Sequence, residues 1–403
     1  MAKLVIHQDK IPDLDAFMGL CPFKAIQNTE GKLEINAACK MCKICVKKGP
    51  AGAAEYIEEE LTQIDKSLWK GIAVYVEHVD GDIHPVTLEL VGKAKELALK
   101  VNQPVYALFI GHAVSEKARE LLHYGIDRVF VYDTEELKDF RIECYTAAAE
   151  DFINNLKPSV ILVGATSIGR SLAPRIAARF RTGLTADCTV LDIKENTDLI
   201  QIRPAFGGNI MAQIATPNNR PQIATVRYKV MSAPERCEAE SGSITQCSIP
   251  KEMLKSGIQV VKTTKKEKEV SISDAEIIVV AGRGLKSEKD MQMVRELAEI
   301  LGAQVAATRS LVESGWVDAK KQIGLSGRTV KPKLIITCGV SGAVQFAAGM
   351  KGSDCIIAIN SDEKAPIFQI AHYGIVGDIY EVIPGLVKNI RGGQEVEQCL
   401  IKA

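Results

Sequence analysis

The sequence predicts an α/β chain in which two doubly wound domains follow a small cysteine-bearing module. Apolar runs of strand length alternate with helical runs from Gly71 to Phe180, and the same alternation returns from Glu276 to Asp378. Such alternation is typical of parallel sheets with helices on their faces. The beginning of the chain differs, because it holds closely spaced cysteines and lacks this alternation. We therefore predict domains at residues 1–65, 66–260 and 261–403.

Composition excludes several classes of function. The chain has 403 residues, of which 46% are hydrophobic and 25% charged, and its 50 basic and 50 acidic residues cancel. A net charge of zero argues against a nucleic-acid binder that relies on bulk charge. No apolar run is long enough to span a bilayer, and the charged start lacks the apolar core of a signal peptide. We expect a cytoplasmic protein with reduced thiols.

The cysteines near the start have the spacing of an iron–sulfur protein. Cys39, Cys42 and Cys45 form the C-x2-C-x2-C run of bacterial ferredoxins. The next cysteine of that motif is replaced by Gly49, although the proline after it remains, whereas Cys21 keeps its own proline without the other three cysteines. In two-cluster ferredoxins the cysteine before proline ligates the other cluster. We predict a ferredoxin-like domain with one [4Fe–4S] cluster; a zinc site and packed thiols are the alternatives. The predicted cluster ligands are Cys21, Cys39, Cys42 and Cys45.

The middle module reads as an α/β unit with a mostly parallel sheet that begins at Gly71. A helix predicted at 170–180 contains Pro174, which would fit its first turn if the helix begins late. The charged run at 262–269 is predicted to be a linker. The other predicted helices are 86–101, 115–124 and 143–156, and the strands between them are 105–110, 128–132 and 160–164.

The last module repeats a strand, a turn rich in glycine or serine, and a helix. Gly282-Arg283-Gly284 follows a strand predicted at 276–280, and Ser287 with Asp290 predicts a variant capping box for the next helix. Similar turns follow strands predicted at 333–338 and 356–359, and a final helix is predicted at 386–390. Loops at the carboxyl ends of parallel strands face one crevice, where free N–H groups at helix starts bind phosphates. The glycine pair alone is weak evidence for a dinucleotide.

Several longer segments of this module are more specific when they are taken together. They read GRGLKS at 282–287, TR at 308–309, IGLSG at 323–327, GVSGAVQ at 339–345, AIN at 358–360 and APIFQIAHYGIVGD at 365–378. These segments resemble the FAD-binding domain of electron transfer flavoprotein alpha subunits, and the resemblance extends from about Leu68 to Lys388. It implies two Rossmann-like domains, with FAD in the second. It also implies that the first domain packs on a beta subunit.

The resemblance also implies which residues contact FAD. Arg309 would lie against the isoalloxazine ring; the alternative is that it only pairs with a surface carboxylate. Many family members read Gln-Thr where this chain has Leu325 and Ser326, and many read histidine in place of Phe346. The implied contacts are Arg283, Thr308, Arg309, Ile323, Gly324, Leu325, Ser326, Ser341, Gly342, Ala343, Val344, Gln345, Phe346, Asn360, Asp378 and Ile379.

The function implied by this resemblance is electron transfer without a catalytic acid, base or nucleophile. FAD would carry electrons between a beta subunit and a flavoprotein related to acyl-CoA dehydrogenases or lactate dehydrogenases. The added iron–sulfur domain is similar to those of electron-bifurcating complexes that couple NADH, ferredoxin and an organic substrate. A rival of another class is an NAD-binding enzyme related to transhydrogenases or deoxyhypusine synthase, since Gly/Ser loops alone do not exclude it.

Overall fold

The computed structural model divides into two compact units, Met1–Ile64 and Asp65–Ala403. It describes residues 2–29, 31–36, 38–58, 64–205, 210–264, 271–391 and 401–402. Most of the predicted linker at 262–269 therefore lies outside the described residues. In the described part of the chain, every helix is too short or too polar to serve as a membrane span.

The first unit contains antiparallel strand pairs and short helices. Its outer strands pair with each other, and its inner strands form a hairpin. Leu4, Phe17, Ile26 and Leu33 are buried between them and form a small core. Its elements are β1 (Ala2–Ile6), α1 (Leu14–Gly19), β2 (Ile26–Thr29), β3 (Lys32–Ile35), α2 (Ile44–Lys48) and β4 (Ala54–Glu58).

The second unit begins with the first α/β domain, whose helices and strands alternate along the chain. Its helices are α3 (Pro85–Val101), α4 (Ile142–Leu156) and α5 (Ser167–Arg179). Its strands are β5 (Ile72–Tyr75), β6 (His78–Val79), β7 (Asp82–Ile83), β8 (Val105–Gly111), β9 (Arg128–Asp133), β10 (Val160–Gly164), β11 (Leu184–Cys188), β12 (Val190–Ile193), β13 (Leu199–Ala205), β14 (Ile210–Ile214), β15 (Gln222–Val226) and β16 (Ser243–Cys247).

The main sheet of this domain is parallel and has the order β11-β15-β10-β5-β8-β9-β16. Alternate strand residues point to opposite faces of the sheet. Val74 therefore packs with α3 on one face, whereas Tyr75 packs with α4 and α5 on the other. Helices on both faces make the sheet doubly wound, so the predicted α/β class and parallel sheet are confirmed. A small antiparallel sheet, β12-β13-β14, is added to it.

Two helices of this domain differ from the sequence prediction. Helix α5 begins at Ser167 rather than Arg170, and the Thr166 side chain caps it by accepting a hydrogen bond from Gly169 N. Pro174 is therefore inside the helix and not in its first turn. The predicted helix at 115–124 is a 3₁₀ helix over Lys117–Tyr124.

The second α/β domain has the sheet order β18-β17-β19-β20-β21-β22, parallel except for the last strand. Helices α6 and α9 cover one face, and α8 with its flanking loops covers the other. Its strands are β17 (Ile277–Ala281), β18 (Gln304–Ala307), β19 (Leu334–Cys338), β20 (Cys355–Asn360), β21 (Tyr373–Val376) and β22 (Ile401–Lys402). Its helices are α6 (Met291–Ile300), α7 (Arg309–Glu313), α8 (Val344–Ala347) and α9 (Ile379–Arg391).

The start and the end of this domain test two further predictions. The capping box of Ser287 and Asp290 is confirmed, because the Asp290 carboxylate accepts a hydrogen bond from Ser287 N at 2.8 Å. The final helix predicted at 386–390 was too short, since α9 continues through Pro384 and begins at Ile379. Short 3₁₀ helices complete the unit at Lys66–Leu68, Glu135–Leu137, Lys251–Met253, Ile272–Asp274, Glu288–Asp290, Ala319–Lys321 and Pro366–Gln369.

Candidate functional site

A cavity of about 790 Å³ lies at the carboxyl ends of the strands in the second α/β domain. The loops that follow β17, β18, β19 and β20 enclose it. The chain crosses from one side of β17 to the other here, because β18 and β19 flank β17 on opposite sides. Open parallel sheets bind their ligands at such a switch point. The volume is in the range of small-molecule and cofactor sites.

Most of the residues that the sequence singled out line this cavity. The lining includes Arg283, Thr308, Arg309, Ile323, Gly324, Leu325, Ser326, Ser341, Ala343, Gln345, Phe346 and Asn360. Gly342 and Val344 instead line a neighbouring cavity of about 530 Å³, which shares Leu325 and Ser326 with the first. Asp378 and Ile379 line neither cavity.

Other lining residues were not among the predicted contacts. They are Gly284, Ser310, Gln322, Gly339, Val340, Asp362, Ala365 and Pro366. Four of them, Gly284, Ser310, Gln322 and Val340, directly adjoin a predicted contact. Gly339, Ala365 and Pro366 lie within segments already quoted for the resemblance, whereas Asp362 lies outside all of them.

Glycines let the loops after β17 and β19 touch backbone to backbone. Gly284 N donates to Gly339 O at 2.9 Å, and Gly282 N donates to Cys338 O at 2.9 Å. A Cβ on Gly282 would lie 2.3 Å from Gly339 O, and a Cβ on Gly339 would lie 2.8 Å from Gly284 Cα. Gly339 also has a φ of +63°. The sequence suggested that such glycines admit a pyrophosphate; in the structure they admit a second loop.

Arg309 is at the first position of α7 and lines the cavity. Its Nε donates to the Glu313 carboxylate at 2.7 Å, and the Arg309 side chain is 68% exposed. The surface pairing that we considered as an alternative is therefore present, together with the position at the cavity wall. Exposed pairs of this kind are weak and easily exchanged, so the guanidinium can still turn toward an anion.

The loop from Gln322 to Arg328 forms another wall and is tied to its own domain. Ile323 N donates to Ala307 O at 3.1 Å, and Leu325 N donates to Gln345 O at 2.9 Å. The Gln322 side chain donates to Ser326 Oγ at 2.8 Å. These bonds fix the part of the loop on which Leu325 and Ser326 face the cavity.

Phe346 and Asn360 have structural partners as well as cavity positions. Phe346 is only 6% exposed and packs in the hydrophobic cluster that contains Ile367 and Met350. An apolar side chain thus stands where the resemblance implies a histidine in many members, and this side chain contributes no donor. The Asn360 side chain donates to Val340 O at 2.9 Å and accepts from Asp362 N at 3.0 Å, which holds two cavity loops together.

Asp378 and Ile379 belong to the beginning of α9. The Asp378 carboxylate accepts a hydrogen bond from Tyr380 N at 3.0 Å, as expected of a residue just before a helix. Ile379 is buried in the cluster between α6 and α9. A direct contact of these two residues with FAD stays a prediction. Their position after β21 is at the same edge of the sheet as the cavity.

The segment at residues 227–231 of the first α/β domain makes hydrogen bonds to the second domain. Arg227 Nη2 donates to Leu325 O at 2.8 Å and pairs with Asp187 at 3.0 Å. Tyr228 OH donates to Asp274 at 2.9 Å. The start of this segment is itself anchored, because the buried carboxylate of Glu89 accepts from Lys229 N at 2.9 and 3.2 Å.

The four predicted cluster ligands line one small cavity of about 20 Å³ in the first unit. All four are free cysteines; Cys21 Sγ accepts from Ala25 N at 3.3 Å, and burial raises the pKa of Cys45. Among the described residues, no three His, Cys, Asp or Glu side chains lie close enough together to hold a metal ion. The donor set suits a cubane cluster, in which each thiolate binds a different iron.

Two protein-family models match this chain. The family described as "Electron transfer flavoprotein domain" matches residues 72–252, and the family described as "Electron transfer flavoprotein FAD-binding domain" matches residues 271–351. The first match covers the first α/β domain. The second covers the elements from β17 to α8, which contribute most of the cavity.

Three similar proteins align with most of this chain. Over 97% of this chain and 94% of the relative, the chain is 62% identical to lactate dehydrogenase (NAD(+),ferredoxin) subunit LctC of Acetobacterium woodii. It is 43% identical to the electron transfer flavoprotein alpha subunit of Megasphaera elsdenii, over 81% of this chain and 98% of the relative. It is 39% identical to the acryloyl-CoA reductase electron transfer subunit beta of Anaerotignum propionicum, over 82% of this chain and 98% of the relative. At 97% coverage, the first of these alignments includes most of the N-terminal unit.

Proposed function

This chain belongs to the electron transfer flavoprotein alpha-subunit family, and on that premise we propose that its second α/β domain holds FAD and passes electrons between partner proteins. FAD, when bound, accepts and releases electrons one or two at a time. The observation that carries the proposal is the cavity at the switch point between β17 and β19, lined by family motif residues from separate loops. The proposed domains are 1–65, 66–260 and 261–403.

The protein's own residues would position the cofactor and set the charge around it. The loops after β17 and β19 would approach the pyrophosphate with their backbone, and Asn360 would serve the adenosine end. Arg309 would supply a permanent positive charge to the ring, because arginine keeps its proton at any working pH. A fixed cation in a partly dry site favours the electron-rich form of a bound ring.

We propose further that the chain works in a complex with a beta subunit and a flavoprotein dehydrogenase or reductase. The family premise supports the beta subunit. The name of the relative from Acetobacterium woodii includes NAD, ferredoxin and lactate dehydrogenase, and its sequence is 62% identical to this chain. Electron bifurcation among NADH, ferredoxin and an organic substrate is therefore our working assignment. The identity of that substrate is a property of the dehydrogenase partner.

The N-terminal unit is proposed to hold one [4Fe–4S] cluster through Cys21, Cys39, Cys42 and Cys45. The support is the split ferredoxin motif and the common cavity that these cysteines line. The cluster would add a one-electron centre to the chain. Its electron partner is proposed to be a ferredoxin or the flavin.

An absorption spectrum of the purified chain, prepared without oxygen with its beta subunit, tests both cofactors. We expect flavin bands, a broad iron–sulfur shoulder, and FAD released by denaturation. Flavin without iron would refute the cluster and leave the flavin assignment intact. A protein with neither would refute the electron-transfer proposal, and NAD binding without flavin would favour the rival class of NAD-dependent enzymes.

A further inference from the structure

Arg227 reaches from the first α/β domain to the wall of the flavin cavity. Its Nη2 donates to the carbonyl oxygen of Leu325 at 2.8 Å and lies 3.0 Å from Asp187 Oδ2. The Arg227 side chain is 19% exposed, so this bond is largely shielded from water. Hydrogen bonds from a charged donor are stronger than neutral ones, more so where water is excluded. The contact is therefore a firm one for a bond between two domains.

The local structure of the first domain orients the Arg227 side chain. Strand β11 pairs with β15, and its register shifts between Thr185 and Cys188. Asp187 lies within this irregularity with a φ of +58°, and its N–H donates to Thr225 Oγ1 at 3.0 Å. Such bulges re-aim side chains at sheet edges. Here the bulge directs the Asp187 carboxylate toward Arg227, the residue that directly follows β15.

A second arginine holds Asp187 in place. Arg170 Nη2 donates to both carboxylate oxygens of Asp187, at 3.0 and 3.2 Å. The carboxylate therefore stays paired even when Arg227 is replaced. Loss of the Arg227 side chain does not leave an unpaired buried charge, so a variant at this position should fold.

The peptide group that Arg227 contacts joins two residues that line the cavity. Leu325 O and Ser326 N belong to one peptide unit, and both residues line the cavity. Ser326 N donates to no acceptor among the described residues. A charged donor on the carbonyl fixes the plane of this peptide and polarises it, which makes its N–H a stronger donor. Arg227 thus acts on the cavity through one peptide unit.

We propose that Arg227 is a positioning residue for the flavin: it fixes the Leu325–Ser326 peptide so that the Ser326 N–H is presented to the ring system. Asp187 aims Arg227 for this task. The inference rests on the proposed function, since it takes the ligand of the cavity to be a flavin. Because Arg227 belongs to the other domain, the bond exists only while the two domains keep the arrangement seen here. Any rotation of the flavin domain would release the peptide and weaken the N–H donor.

The test compares four variants: Arg227→Ala, Arg227→Lys, Asp187→Asn and, as a matched control, Tyr228→Phe. The control removes the neighbouring interdomain hydrogen bond to Asp274 and leaves the cavity loop untouched. Hydrogen exchange at residues 323–327 is measured in FAD-free protein. FAD affinity and the flavin reduction potential are measured in the reconstituted complex with the beta subunit.

We expect Arg227→Ala to speed exchange in the loop, to weaken FAD binding about tenfold and to lower the flavin reduction potential, because a charge-assisted hydrogen bond is lost. Asp187→Asn should change loop exchange, FAD affinity and reduction potential in the same direction as Arg227→Ala, but by a smaller amount. Arg227→Lys should give values between those of Arg227→Ala and the wild type, because an ammonium supplies the charge without the planar guanidinium fork. Tyr228→Phe should match the wild type.

Each contrary result has a separate meaning. If wild-type protein binds FAD and Arg227→Ala leaves loop exchange, affinity and potential unchanged, this inference is wrong and the proposed function stands. If Tyr228→Phe has the same effects as Arg227→Ala, the arginine acts only by joining the domains, and the positioning role is refuted. A wild-type complex that binds no flavin would overturn the proposed function, and the inference with it.

Discussion

The buried carboxylate of Glu89 should make the stability of the first α/β domain depend on pH. Glu89 is 7% exposed in α3. Burial raises its pKa from 4.5 to about 7, although the N–H groups of Lys229, Val230 and Met231 and the Lys229 ammonium act to lower it. The folded state therefore binds this proton more tightly than the unfolded chain. The resulting stabilisation is complete below pH 4.5 and is lost as the pH rises through about 7.

The size of the effect follows from the shift. Each pKa unit corresponds to about 1.4 kcal/mol, so the full loss is about 3 kcal/mol by pH 8. Part of it is already lost at pH 5, and solvent screening reduces the remainder. We therefore expect a loss of roughly 2 kcal/mol between pH 5 and pH 8, or about 4–8 °C in Tm for a domain of this size.

Glu89→Gln should remove this dependence, because the amide carries no charge and keeps one acceptor for Lys229 N. Calorimetry of the wild type and the variant at pH 5 and pH 8 measures the difference in Tm at each pH. The variant should gain relative to the wild type as the pH rises. Glu96→Gln is the matched control, since Glu96 lies on the same helix with an exposed side chain. A Glu89→Gln difference that is the same at both pH values would refute the reasoning.

Three further predictions concern the cofactors. Arg309→Ala should retain FAD but lower its reduction potential, which spectroelectrochemistry measures; an unchanged potential would place the guanidinium away from the ring. Cys21→Ser should lower iron content, about four per chain in the wild type, as far as Cys42→Ser does, and normal iron in the first variant would exclude it as a ligand. Gly282→Ala, whose Cβ would meet Gly339 O at 2.3 Å, should lower the unfolding free energy by about 1–3 kcal/mol and weaken FAD binding; a fully stable variant would contradict the backbone contact.

The position of the cavity could be predicted from the sequence because its signals are local. Apolar strands end in motifs such as Gly282–Gly284, and parallel strands bring those ends to one edge. The motif around Thr308 and Arg309 was placed at the same cavity for this reason. This prediction requires only the order and the direction of the strands. Hydrophobic periodicity in the sequence indicates both.

Other features depend on contacts between distant residues and carried no local signal. The bond from Arg227 to Leu325 joins two domains, and nothing near either residue in the sequence indicates the other as its partner. The pairing of Gly284 with Gly339 also requires the strand order to be known. Asp362 lines the cavity in a loop that the Asn360 side chain holds by accepting a hydrogen bond from Asp362 N.

Two helices begin earlier in the structure than the sequence predicted, and each contains a proline. Pro174 and Pro384 both lie inside helices, α5 and α9, that continue through them. Proline disfavours a helix interior through its missing N–H and its ring. In α5, burial of Leu172 and Ile176 on either side of the proline outweighs that cost. Tertiary packing of this kind does not appear in a propensity argument.

The order in which strands join the first sheet has a consequence for synthesis on the ribosome. β15 lies between β10 and β11, so β11 has its main-sheet partner only after residue 226 has left the exit tunnel. The edge of β9 likewise stays open until β16 emerges. Nascent domains fold as units, at about 5–20 residues added per second. The growing chain therefore exposes apolar strand edges for several seconds. During this interval a chaperone, or a beta subunit that is already folded, would be able to bind the exposed edges.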